Sequence, residues 1–134
     1  MHLKLKKEHP LLFRDAEEKD KPLIVKFLKS MAEEEHYSNI NDELIETSVN
    51  VVLRNQRYGR IFMCDDLNEN RAIGCAQFIR KNKKEITGSN LFVEKKSRRK
   101  GACELIFREG EEIYRKDGVI RSKGYVKIKN KVAQ

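Results

Sequence analysis

The chain has 134 residues, of which 39% are hydrophobic and 37% charged, and a formal net charge of +8. That length suits one domain burying roughly two thirds of its unfolded surface, and the composition is that of a soluble globular protein with a charged exterior. No apolar run approaches the roughly 20 residues a membrane helix needs, and residues 1–7 lack a signal peptide's apolar core, so no membrane partner and a cytoplasmic location are expected.

Taken in order, residues 1–10 read as a basic lead, with the single domain expected over 11–134. Leu11-Leu12-Phe13-Arg14-Asp15-Ala16 reads as a short strand. Asp20 is placed to cap a helix with Pro22 in its first turn, and Leu23, Ile24, Phe27, Leu28 and Met31 recur as its buried stripe. A polar loop follows over Glu33-Glu34-Glu35-His36-Tyr37-Ser38-Asn39. A second helix is expected from about Asn41 to Asn55, with Leu44, Ile45, Val49, Val52 and Leu53 on one side.

Arg60 to Cys64 is a β run, the polar residues Asp65 to Asn70 turn it, and Ala72 to Arg80 returns, which predicts an antiparallel hairpin. Asn82 to Lys84 turns the chain again into Glu85 to Val93, with Gly88 expected to mark a bulge. From Lys100 the apolar residues Leu105, Ile106 and Ile113 recur at helical spacing, and Asp117-Gly118 ends that helix. Either residues 119–121 or residues 125–129 then supply a strand parallel to the Glu85 to Val93 strand through a right-handed crossover. The fold class is therefore α/β: a mixed sheet, with an antiparallel meander followed by a parallel strand and helices flanking it.

Between the last meander strand and the following helix lies Glu94-Lys95-Lys96-Ser97-Arg98-Arg99-Lys100-Gly101. A strand, a tight cationic turn and a helix N-terminus make an anion site, because the first amides of a helix lack intrahelical acceptors and the macrodipole adds partial positive charge. Phosphate is the natural guest. The charge balance agrees, since residues 71–134 hold 18 Lys/Arg against 7 Asp/Glu and residues 1–70 hold 11 against 14. The odd set Cys64, Cys75 and Cys103 lacks CxxC spacing and reads as free thiols; His2, His9 and His36 cluster with nothing, so no metal is expected.

Arg98-Arg99-Lys100-Gly101-Ala102-Cys103, with Val93 five residues upstream, resembles the acetyl-CoA signature of the GNAT N-acetyltransferase superfamily, Arg/Gln-x-x-Gly-x-Gly/Ala at the start of its central helix. Cys103 departs from the pattern, standing where glycine or alanine is usual. The opening order Arg14, Ala16, Asp20 and then an amphipathic helix is similar to the start of GNAT domains, and Asn130-Lys131-Val132-Ala133 matches the family's Asn-x-x-Ala. The likeness covers about 120 residues, Phe13 to Ala133, and lacks the family's usual final helix, with its tyrosine, and final strands. The chain thus reads as a C-terminally short member, and neither Tyr58, Tyr114 nor Tyr125 stands where that tyrosine should.

This resemblance implies an acyltransferase that moves acetyl from acetyl-CoA to a primary amine. It implies that the strand end Leu91, Phe92 and Val93 pairs with the pantetheine arm, which Asn130 would also reach. The turn Arg98, Arg99, Lys100, Gly101, Ala102 and Cys103 would take the pyrophosphate. Glu85 shares a strand side with Thr87 and Ser89, is the only carboxylate there before Glu94, and is the candidate base. Glu33, Glu34 and Glu35, with Asp42 and Glu43, would border the entry of a cationic amine, a solvated helix end being the plain alternative. Polyamine, aminoglycoside, amino acid and protein lysine all suit an acidic groove.

An uncovered parallel sheet edge leads to the expectation of a homo-oligomer. Cys103 near a helix start is expected to have a lowered thiol pKa, unless it is simply a small buried residue. A catalytically inactive GNAT-like domain binding CoA or a protein is one alternative. A nucleic-acid module gripping through Lys95 to Lys100 and the neighbouring cations is a lesser one, as only Phe92 and Tyr125 interleave with them.

Overall fold

Five strand segments assemble into one curled sheet in the computed structural model, which describes residues 10–35 and 41–123. Strands β1 (Leu11–Asp15), β2 (Gly59–Asp66), β3 (Arg71–Asn82), β4 (Glu85–Val93) and β5 (Arg121–Lys123) lie side by side in chain order. Neighbours are antiparallel from β1 to β4, and β5 joins β4 in parallel. Helices α1 (Lys21–Glu34), α2 (Asp42–Arg54) and α3 (Ala102–Lys116) cover it, with two 3-10 turns at Glu18–Asp20 and Lys95–Ser97.

The sheet is buried on both faces, which is why its long strands β2 and β3 read as nearly continuous apolar runs. On one face α3 sets Ile106 and Tyr114 against Phe62, Ile73, Phe78, Ile86 and Val93. On the other, α1 and α2 set Ile24, Phe27, Val49 and Val52 against Ile61, Met63, Cys75 and Phe92. Phe78 is the hinge of the first cluster, with its ring 5.6 Å from Phe62 and 5.9 Å from Tyr114.

Three local expectations change. The bulge falls at Asn90 rather than Gly88: Cys75 and Gln77 of β3 face Phe92 and Ser89, so β4 carries one extra residue there, and Asn90 takes a left-handed φ of 51°. Gly88 instead makes room for α3, since a Cβ there would stand 2.7 Å from the Phe107 ring. Asp20 occupies the N-cap of α1 without capping it; its Oδ2 accepts from the Glu17 amide at 2.7 Å and its two oxygens hold Arg14. Leu44 is 65% exposed, because only the second half of α2, at Val49 and Val52, reaches the sheet.

The strand parallel to β4 begins at Arg121, so the earlier of the two expected segments holds in part. The later one, residues 125–129, lies outside the described residues, as do the basic lead 1–9 and Asn130.

Candidate functional site

The anion turn starts where β4 ends. After Val93 the 3-10 turn Lys95–Ser97 reverses the chain, Ser97 is fully buried, Arg98 is extended and Arg99 is left-handed at φ 72°. Gly101 follows at φ 89° as the N-cap of α3, a conformation that costs a residue with a Cβ roughly 1–2 kcal/mol. A Cβ on Gly101 would meet nothing within 4 Å, so open space lies over the helix start. A shallow cleft of about 260 Å3 lined by Leu11, Gly101, Glu104, Leu105 and Arg108 opens beside it.

The starts of α2 and α3 differ. Asn41 Oδ1 accepts from the Glu43 and Leu44 amides and caps α2. At α3 no side chain caps the first turn. Its leading amides lack intrahelical acceptors, so this end suits an external anion.

The basic side chains of the turn do not all face outward. Arg98 points inward: its Nε donates to the Val93 carbonyl at 2.8 Å, its Nη2 pairs with Glu34 at 2.6 Å, and its guanidinium lies 5.6 Å from the Phe92 ring centroid. Lys100 Nζ donates to Asp66 at 2.9 Å and reaches Glu69 at 3.4 Å. Arg71 joins Glu69 and Glu94 into the same network. Lys100 holds the Asp66 carboxyl below its usual range, helped by the Glu69 and Asn68 amides and opposed by burial. Lys95, Lys96 and Arg99 are the exposed cations of the turn.

Ala102 and Cys103 turn their side chains into the core under α3, so Cys103 fills space below the turn rather than above it. The lowered thiol pKa does not hold: burial pushes the Cys103 thiol up to about 11, with Arg98 pulling the other way. Burial likewise raises Cys64 and Cys75 to about 12. Tyr114 is a core residue whose phenol burial lifts to about 12.

Leu91, Phe92 and Val93 have buried side chains, which leaves their backbone as the part able to meet a ligand. Described β5 pairs only with Glu85, Ile86 and Thr87, so among the described residues the β5-side edge of β4 from Gly88 onward has no strand partner. At the bulge Asn90 Nδ2 donates to Gln77 Oε1 and Ser89 Oγ to the Gln77 carbonyl, and the neighbouring Thr87 Oγ1 is buried without a partner. Glu85 sits at the far end of β4, 3.9 Å from Arg121. At about 3.3 Å per residue it stands roughly 16 Å from Asn90 along the strand.

Glu33 and Glu34 close α1 and are exposed, and Glu35 follows them half-buried. Glu34 already pairs with Arg98, and Asp42 with Lys29 at 2.9 Å. The loop that would complete an acceptor groove, residues 36–40, lies outside the described residues.

Two partly buried ion clusters escaped the sequence reading. Arg14 is gripped by Asp20 and Asp65, at 2.8 and 2.7 Å, and Asp66 anchors Lys100. Adjacent acids at the end of a β run were the available signal, and they read equally well as turn residues.

No family model matches the sequence, and no curated protein matches it. Solved structures do share the fold. A possible acetyltransferase from Clostridium difficile 630 is 19% identical with a TM-score of 0.77, over 90% of this chain and 82% of that one. A predicted acetyltransferase with acetyl-CoA from Clostridium acetobutylicum is 18% identical with a TM-score of 0.73, over 89% and 82%. Glucosamine-6-phosphate N-acetyltransferase from Arabidopsis thaliana is 13% identical with a TM-score of 0.70, over 92% and 86%.

Proposed function

Taking as premise that this chain has the fold of the GNAT acetyltransferases, we propose that it moves an acetyl group from acetyl-CoA to a primary amine. The observation that carries this reading is the uncapped start of α3, with Gly101 left-handed beneath open space at the end of β4. Those residues fit a diphosphate: the amides from Arg99 to Cys103 approach it without an intervening side chain cap, and exposed Arg99, Lys95 and Lys96 add charge around it. The edge of β4 at Leu91, Phe92 and Val93, without a strand partner among the described residues, then takes the pantetheine amides, as another strand would.

Acetyl-CoA supplies an acetyl thioester that an amine attacks directly. The chain's own task is to hold amine and thioester together and to remove the ammonium proton. Glu85, on the side of β4 shared with Thr87 and Ser89, is the proposed base and works through intervening water, given its distance from the bulge. Glu33, Glu34 and Glu35 are the proposed border for a cationic acceptor, Glu34 also pairing with Arg98. The distance of Glu85 favours one second reading, a domain that binds CoA without turnover. The parallel edge of the sheet, which ends at β5 among the described residues, is the proposed contact of a homo-oligomer.

The test is calorimetric titration with acetyl-CoA and CoA, followed by acetylation of a panel of polyamines, aminoglycosides, amino acids and a lysine peptide. Saturable binding of both thiol and thioester, with turnover on one amine class that Glu85→Gln lowers at least tenfold, is the expected result. Binding without turnover would leave the second reading standing, and absence of binding would overturn both.

A further inference from the structure

The positive charge of this chain concentrates away from the anion turn. Two of the turn's five cations, Arg98 and Lys100, are paired with Glu34, Asp66 and Glu69. The other end of β4, eight residues and roughly 26 Å away, is different. There the β3–β4 hairpin carries Arg80, Lys81, Lys83 and Lys84 around Asn82. A cleft of about 490 Å3 is lined by Gln56, Arg57, Arg80, Lys83 and Asp117. The end of α3 abuts the same hairpin, because the Ile120 and Arg121 amides both donate to the Lys84 carbonyl.

Among the described residues Asp117 pairs here with Arg80 at 2.6 Å, Glu112 with Arg115 at 3.0 Å and Glu85 with Arg121 at 3.9 Å. Arg57, Lys81, Lys83, Lys84 and Lys116 are exposed and have no acidic partner among the described residues. The cleft is also preformed. Arg80 is fixed by Asp117, by the Lys83 carbonyl at 3.3 Å and over the Tyr114 ring at 5.6 Å. Asn55 and Asn82 side chains tie down the turns that present Arg57 and Lys84. Tyr58, next to Arg57 and hydrogen-bonded through its carbonyl to the Arg80 amide, is 47% exposed.

We infer that this end of the sheet is a binding face for single-stranded nucleic acid, with Arg57, Lys81, Lys83, Lys84 and Lys116 along the phosphates and Tyr58 stacked on a base. Five unmatched cations spread over three segments exceed what one phosphate needs and suit a backbone. Stacking on tyrosine requires an unpaired base, which favours a single strand over a duplex. The inference does not rest on acetyl transfer, although Glu85, the proposed base, lies at this same end of β4.

Fluorescence anisotropy of a labelled 12-nucleotide single-stranded RNA with the full chain tests it, beside a duplex of the same sequence, polyphosphate, and anionic phosphatidylserine vesicles. Expected are preferential binding of the single strand and a log–log salt slope of about −2 to −3.5, from three to five neutralised phosphates. Lys83→Glu with Lys84→Glu should weaken binding at least tenfold, and Tyr58→Ala about fivefold or more. Lys95→Glu with Lys96→Glu should change it less than threefold, and excess CoA should not compete. Circular dichroism of each variant establishes that it is folded. Equal loss in the Lys95/Lys96 variant, competition by CoA, equal affinity for duplex or polyphosphate, a preference for vesicles, or no RNA binding at 50 mM salt would each overturn the inference.

Discussion

Replacing Arg98 with alanine separates a cation that touches a ligand from one that holds the turn in place. In this structure the side chain is 11% exposed and makes three contacts, all internal. Losing the charged donor to the Val93 carbonyl costs about 1–2 kcal/mol. The pair with Glu34, whose own side chain is 41% exposed, adds only up to about 1 kcal/mol. The contact over Phe92 adds about 0.5–1 kcal/mol. The sum is about 1.5–4 kcal/mol, or a fall in Tm of roughly 5–15 °C for a domain of this size. Arg98→Lys keeps the charge and should recover less than half, because an ammonium cannot serve Val93 and Glu34 with one planar fork. Arg99→Ala, exposed and at φ 72°, should leave Tm within about 3 °C. Scanning calorimetry with urea melts reads all three, and a double-mutant cycle with Glu34→Gln gives the pair alone. If Arg98→Ala melts like the wild type while Arg99→Ala does not, the inward assignment of Arg98 is wrong.

Three further outcomes follow from the same contacts. Gly110→Ala in α3 should destabilise by about 1 kcal/mol in urea melts although helix propensity favours alanine by a similar amount, because the new Cβ would stand 2.9 Å from the buried Phe78 ring and 3.2 Å from Phe62; a stabilised variant would show that those rings give way. The Asp66 carboxyl is lowered by Lys100, and the Asp20 carboxyl, which burial raises, is brought below its ordinary value by Arg14 and the Glu17 amide. Both contribute stability that is complete above the unfolded carboxylate pKa of about 4 and lost as pH falls through the lower folded values. Melts between pH 7 and pH 2 should therefore decline below about pH 4, and Asp66→Asn should flatten that decline; an unchanged slope in the variant contradicts the assignment. With all three thiols buried and raised to about 11 or 12, Cys64, Cys75 and Cys103 should react with a thiol reagent at pH 7.5 only as fast as the protein opens, so immediate labelling of the native protein would refute their burial.

Much of the architecture was legible in the order of segments. The meander, the basic turn and the α3 helix follow from period and turn residues alone, and their ends agree to within two residues. What the residues could not disclose was where long side chains go. Arg98 and Lys100 look like surface charge in a basic run, and only the approach of Glu34 from α1 and of Asp66 from the β2–β3 turn makes them internal. The bulge was placed on glycine because glycine tolerates bulges, whereas asparagine tolerates a left-handed φ nearly as well and Gly88 was needed for Phe107. Leu44 follows the helical stripe yet stays exposed, since periodicity reports which side of a helix is apolar but not how far the sheet extends beneath it. The lowered pKa for Cys103 came from its place at a helix start, and burial in the α3 core overrode it.

The central claim is that amides at the start of α3 hold a diphosphate. Titration calorimetry of the wild-type chain with CoA and with pantetheine, which lacks the diphosphate, tests it most directly. CoA should bind with a Kd at least 100-fold lower than that of pantetheine, and Gly101→Asp, which sets a carboxylate at that helix start, should remove most of the difference. Equal affinity for the two ligands, or a CoA affinity indifferent to Gly101→Asp, would contradict it.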